Sequence, residues 1–468
     1  MEYSVTDNNQ IFTNMTLMKK LISIVLSSLL LFTACDMFDD DEAQTPEETL
    51  QAQLPFSQYI ISYWRGLDMG RYQLQWTQQL SGVSGKYLNI DRYQMQGQHS
   101  DDIWYFYYQH IFRDLQGIIT LSTEQNARAY RGIARILQAY SLGFMTDTWG
   151  DVPHEMAMGY FTQANLPVYD EQQNLYIEIM QLLELGKQDL NAAQDSDGLK
   201  PGAAEDPIYG GDLDQWKKAA DVIRLRHLLR MGNHAGNYNL ARGQIENQEL
   251  FSGTHDDMVY QYNADLDQVN PHYYFRQVTR AGEFFVDKLM ETDDPRIPYF
   301  LTKNIYGEYV GKPVGSTMQN ASSPGDAVAS ETTPTTLIGY TEQKFIEAEV
   351  YYKAGDQGMA DQAFEEAVIS SLRSFDIVDP EWEEAHASIE NVSLEEIMTA
   401  KYIALFLNPE VWTDYRRTGY PEIPHYDAED DFEEIPRRFP YSEEEQNING
   451  INVPENVDLF TRMWWDAE

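Results

Sequence analysis

Residues 127–153, reading ARAYRGIARILQAYSLGFMTDTWGDVP, constrain the fold more than any other stretch of the chain. Tyr130, Ile133, Ala134, Leu137, Tyr140 and Phe144 recur at three- and four-residue spacing, while Arg128, Arg131, Arg135 and Gln138 share the other face. That period belongs to an amphipathic helix, which has to bury one side. Ser122 with Gln125 predicts its N-terminal cap, and Gly150 and Pro153 its end. Helical patterning returns over residues 55–65, 103–121, 169–193 and 216–233, and again beyond 341. The expected fold class is therefore mainly α.

Two segments break the period. Residues 66–102 hold several glycines and no clean repeat, and residues 255–334 read mostly as loop, with helical pattern only near 283–290. Long loops in compact domains tend to carry function. Residues 195–214 form a linker rich in Asp, Gly and Pro. Its Asp195, Asp197 and Gly198 resemble part of a calcium loop, but with Gly198 at the turn Ala193 stands at the first ligand position, which rules out an EF-hand.

Translation is expected to begin at Met18. Lys19 and Lys20, then an apolar run from Leu21 to Phe32, make a secretory signal too short to span a bilayer. Thr33 and Ala34 place the cut before Cys35, the only cysteine, which excludes an internal disulfide and a cysteine-based metal cage. Cys35 is the expected lipidation site, and an acidic tether over 35–50 follows, with Asp36, Asp39, Asp40, Asp41 and Glu42. The organisation reads as leader and signal 1–34, tether 35–50 and a single domain 51–468. With 33 Lys plus Arg against 75 Asp plus Glu, the net charge of −42 repels phosphate backbones and argues against nucleic acid as a partner.

From Thr341, Ala348, Tyr351, Ala360 and Phe364 fall on the small and aromatic positions of a tetratricopeptide-like helix pair, and Ala367 adds a further small residue. Lys344, Glu347 and Leu372 depart from that pattern. Ser393 with Glu396 predicts a capping box for a last long helix stopped by Pro409. The segments EVWTDYRRTGYP from Glu410 and RRFPYSEEEQNIN from Arg437 follow. For Arg416 and Arg417 structural pairing with carboxylates such as Asp414 is favoured over anion binding.

The lipobox-like Leu31 to Cys35, the helix running into Trp149, Gly150, Asp151, Val152 and Pro153, the helix pair, and the spacing of Lys401, Tyr402, Trp412, Asp414, Arg416 and Arg417 together resemble the SusD/RagB family of nutrient-binding outer-membrane lipoproteins. The resemblance implies a SusD-like helical scaffold with tetratricopeptide-like helix pairs and long irregular loops. It implies a lipid-anchored surface protein that captures an oligosaccharide, or a peptide, and delivers it to a SusC-like TonB-dependent transporter. A sugar offers apolar C–H faces ringed by hydroxyls, so its site needs flat rings beside amide or charged partners. Trp76, Gln79, Tyr87 and Tyr93 on the first irregular segment, with Tyr273 and Tyr274 on the second, are the expected ligand-facing residues. No catalytic motif or phosphate loop is present and no cofactor is expected. The competing readings are a tetratricopeptide-type scaffolding lipoprotein and a glycoside hydrolase.

Overall fold

The computed structural model describes residues 46–159, 166–194, 196–197, 199–426 and 434–466. The leader, the signal, Cys35, Asp195 and Gly198 lie outside the described residues, and the last five positions of the expected tether, 46–50, are helical. Residues Leu50–Glu468 form one compact unit. In chain order the principal elements are α1 (Pro46–Gly66), α2 (Asp68–Trp76), β1 (Leu80–Gly82), α3 (Gly85–Asp91) and α4 (Asp101–Phe106). A π-helical turn, Tyr107–Phe112, joins α4 to α5 (Arg113–Glu124). Then come α6 (Arg128–Trp149), α7 (Gln172–Ala192), α8 (Leu213–Ala235), α9 (Asn239–Asn247), β2 (Met258–Tyr260), α10 (Pro271–Phe275), β3 (Thr279–Ala281) and α11 (Glu283–Glu291). β4 (Thr335–Ile338), α12 (Tyr340–Lys353), α13 (Gln357–Arg373), α14 (Leu394–Ala404) and α15 (Glu410–Thr418) complete the frame. The strands make two antiparallel pairs, β1 with β3 and β2 with β4, which fix loops against helices.

The helix expected at the centre is α6. Tyr130, Ile133, Ala134 and Leu137 are wholly buried, and the arginines opposite them are covered too, because Arg131 and Arg135 both pair with Asp189 of α7. Its expected cap is corrected: Ser122 lies in the last turn of α5, its hydroxyl donating to the Ile119 carbonyl, and α6 starts at Arg128 with no side-chain cap. Burial against its neighbours sustains the helix without one. At the other end Gly150 has φ +85°, and a Cβ there would stand 2.7 Å from an Arg438 nitrogen, so the turn requires glycine. The residues around it lock distant chain into place. Trp149 Nε1 donates to the Pro440 carbonyl at 3.0 Å, Tyr108 to Pro153 at 2.6 Å and Tyr441 to Asp151 at 2.9 Å.

Asp147, in the last turn of α6, gathers the frame. It accepts from Tyr176 of α7 at 2.5 Å and from Trp465 Nε1 at 2.8 Å, and it pairs with Arg230 of α8. Arg230 also pairs with Glu410 of α15, while Arg226 pairs with Glu342 of α12 at 2.7 Å. Burial alone would raise the Glu410 carboxyl, but Arg230, Arg226 and Lys401 hold it well below the usual carboxylate range. Arg416 and Arg417 are buried as well. Arg417 pairs with Glu349 and Asp414, the expected kind of partner, whereas Arg416 donates to the carbonyls of Asp147 and Arg437 and lies 3.4 Å over the Trp412 ring.

α12 and α13 form the tetratricopeptide-like hairpin, with Ala348, Tyr351, Ala360, Phe364 and Ala367 all in its core. Of the departures from the pattern, Lys344 bridges Glu347 at 2.8 Å and Glu366 at 3.0 Å, while Leu372 is fully buried. Ser393 and Glu396 form the reciprocal capping box expected for α14. At the start of α12, Asp257 accepts the Tyr340 N–H at 2.6 Å, yet burial, with Asp256 and Glu342 nearby, pushes its carboxyl up to about 7.

Two outcomes follow from these groups. Arg230→Ala strands the Asp147 and Glu410 carboxylates in the interior and is expected to cost about 3–5 kcal/mol in urea denaturation; a change below 1 kcal/mol (~1, the usual surface value) would show the cluster is not what holds the helices. Because the folded Asp257 carboxyl keeps its proton to higher pH than the unfolded one, its contribution is full below about pH 4 and fades as pH rises through about 7. Asp257→Asn should therefore flatten the decline in thermal midpoint across that window, and an unaltered slope would contradict the assignment.

Candidate functional site

α1 has two faces. Leu50, Leu54 and Ile61 are buried, and on the opposite side Phe56, Tyr59 and Tyr63, at i, i+3 and i+7, form a partly exposed aromatic stripe. Phe56 is 45% exposed, and Tyr59 and Tyr63 are half-buried with ring centroids 5.6 Å apart. Tyr63 leads on to Trp64, which stacks on Phe106 at 4.3 Å; Phe106 in turn contacts His110 at 4.9 Å and the exposed Tyr105 at 5.7 Å. On the other flank Tyr59 meets Tyr260 at 5.9 Å. Burial raises the hydroxyl pKa of both Tyr59 and Tyr63, and Tyr274 is near enough to add to each shift, with Asp267 adding to that of Tyr59.

α10 brings Tyr274 there. Its turn begins at Pro271 under an Asn270 cap, the side chain accepting from the His272 N–H at 2.8 Å. Tyr274 is 51% exposed, and Tyr273, half-buried, packs on it at 5.5 Å with the Arg276 guanidinium 5.1 Å from the Tyr273 ring. Behind α10, Phe275 and Tyr87 sandwich Arg71, whose guanidinium carbon lies 3.8 Å and 4.2 Å from the two ring centres. Burial pushes Arg71 down to about 10, and it keeps its charge at neutral pH beside Asp68.

Of the six expected ligand-facing residues, Tyr273 and Tyr274 join the aromatic stripe, and half-buried Tyr87 is linked to α10 through Arg71 and Phe275. The other three are corrected to framework positions. Trp76 is fully buried between Trp412 and Phe439, with its Nε1 donating to the Ile90 carbonyl. Gln79, also fully buried, donates to the Tyr402 carbonyl and accepts from the Leu407 N–H, closing loop ends that have no strand to satisfy them. Tyr93 is 2% exposed and its hydroxyl accepts from the Tyr426 N–H. Phe56, Tyr59 and Tyr63, which the sequence shows only as part of the helical pattern over 55–65, share the side of α1 opposite Leu50, Leu54 and Ile61, whereas Trp64 is buried.

The fold matches a known family. Residues 49–442 fit the SusD-like model described as starch-binding and associating with the outer membrane, and the chain belongs to that family. Among solved structures, a chitin-binding protein superposes with a TM-score of 0.77 at 22% identity, over 91% of this chain and 100% of the other. A SusD homologue from Bacteroides fragilis gives 0.74 at 21%, covering 90% and 99%, and a chitin-binding SusD homologue from Flavobacterium johnsoniae gives 0.74 at 19%, covering 90% and 97%. No curated protein matches the sequence. Among the described residues no helix is long and apolar enough to cross a membrane.

The approach of α10 to the end of α1 depends on Gly66, where a Cβ would lie 2.8 Å from Pro271 Cγ and 3.3 Å from His272 Nε2. Gly66→Ala is expected to lower stability by about 1–3 kcal/mol through overpacking, read as a reduced denaturation midpoint. An unchanged midpoint would mean that α10 gives way freely.

Proposed function

We propose that the protein is a non-catalytic glycan receptor, held to the outer membrane by lipid on Cys35, that captures an oligosaccharide on the α1–α10 aromatic surface and hands it to a SusC-like TonB-dependent transporter. The observation that carries this reading is the partly exposed stripe of Phe56, Tyr59 and Tyr63 beside Tyr274, on a frame whose family is described as starch-binding. Half-buried tyrosines are held in place by their neighbours and lose little freedom on binding, while each offers a flat face to sugar C–H groups and a hydroxyl to sugar oxygens. Asp267 and Arg276 supply polar partners at the rim. The net charge of −42 favours neutral or cationic glycans over anionic ones.

The binding step needs no bond to be made or broken. Capture would proceed by stacking of successive sugar rings along α1, with release governed by a partner that competes for the glycan. Tyr59→Ala with Tyr63→Ala is expected to weaken binding of starch or chitin oligosaccharides at least tenfold, about 1.4 kcal/mol, in isothermal titration, while Trp76→Phe changes affinity little. Retained affinity in the double variant, or binding of unstructured peptides in preference to both glycans, would overturn the assignment.

A further inference from the structure

A cleft of about 540 Å³ opens between α5, α6 and α7, a volume within the range of about 300–1,000 Å³ usual for ligand pockets. Leu175 and Leu182 of α7 and Gln138 of α6 are buried in its wall, Ile119 and Met158 are half-buried there, and Leu185 and Glu155 are exposed. Much of that wall is therefore apolar.

The polar groups of the cleft are one-sided. Glu155, Asp170 and Glu178 all line it, and none of the three forms an ion pair among the described residues. They lie close enough to act on one another: burial, then the charges of Glu155 and Asp170, raises the Glu178 carboxyl. Arg135, also in the lining, pairs with Asp189, which Arg131 shares, so one positive charge is left over against three carboxylates. Burial pushes the His154 ring of the lining down to about 4; at neutral pH it is uncharged and offsets none of them. Gln138 adds a neutral acceptor. Its amide nitrogen lies 3.4 Å from Gln116 Oε1 and 3.4 Å from the Met158 sulfur, both residues of the lining, so the amide end stands at the cleft, and its Oε1 accepts no hydrogen bond among the described residues. An unpaired polar atom on a side chain only 2% exposed costs free energy that a donor would recover.

The groups left over in the cleft are acceptors, three of them anionic. A primary ammonium has three N–H donors and no acceptor, and is their complement. A metal ion is not, because no three acidic or histidine side chains among the described residues converge as metal ligands. We propose that this cleft binds an aliphatic primary amine of the diamine or polyamine class, its ammonium groups held by the carboxylates and the Gln138 amide oxygen and its methylene chain lying on Leu175 and Leu182. None of the lining residues belongs to α1 or α10, so amine binding is independent of glycan capture on that surface.

Isothermal titration of the purified protein with putrescine is the test. One saturable site is expected, weakened by added salt, with choline, which carries the charge but no N–H donor, binding about tenfold less tightly or worse. Glu178→Gln, at a half-buried carboxyl without an ion pair, is expected to weaken putrescine about tenfold, whereas Tyr59→Ala/Tyr63→Ala should bind it as the unaltered protein does. Should Glu178→Gln fail to fold, Leu185→Arg brings a positive charge to the cleft from an exposed position and should weaken binding likewise. Uptake at many equivalent weak sites, choline binding as tightly as putrescine, or an affinity unmoved in Glu178→Gln and in Leu185→Arg would overturn the proposal.

Discussion

The pairing of Arg230 with Asp147 and Glu410 is the contact on which the architecture turns. It joins α6, α8 and α15, and through Tyr176, Trp465 and Arg226 it reaches α7, the C-terminal segment and α12. Two charges removed from water are costly unless each is closely matched, so these helices are tied to one relative placement. The conspicuous sequence features cluster here. Trp149 to Pro153 and Trp412 to Arg417 are framework, and their tryptophans and arginines are spent on carbonyls and carboxylates of other segments.

The same frame seats α1. Its buried side mixes Leu50, Leu54 and Ile61 with Ser57, Gln58, Ser62 and Trp64, and Tyr59 and Tyr63 on the other side still pack partly against the core, so only Phe56 is largely free of it. The net charge of −42 acts at longer range and disfavours the approach of anions.

Legibility followed burial pattern. The α12–α13 hairpin and the Ser393–Glu396 capping box could be read because each has a local signature and an edge side, and α6, with 18 of its 22 residues buried, because its apolar period is set against a row of arginines. α2 could not, since Asp68–Trp76 has eight of its nine residues buried, Arg71, Gln73 and Gln75 among them, and polar residues in the interior erase the helical period. The same blindness misplaced Trp76, Gln79 and Tyr93: residues suited to sugar contact are equally suited to satisfying a loop-rich interior, and no local pattern separates the two uses. Tyr273 and Tyr274 sit on a short capped turn, which leaves Tyr274 exposed and Tyr273 half-buried.

The π-helical turn Tyr107–Phe112 sets how the surface is aimed. One additional residue in a helical ladder advances the phase of everything beyond it by about 100°. Upstream, Tyr105 and Phe106 look outward; downstream, Leu115 and Ile118 pack inward without conflict. Loss of a single position here would swing the outer rings toward the interior and leave the later turns seated. Within such a scaffold, chain length at one point can thus redirect an outer face as effectively as any exchange of side chains.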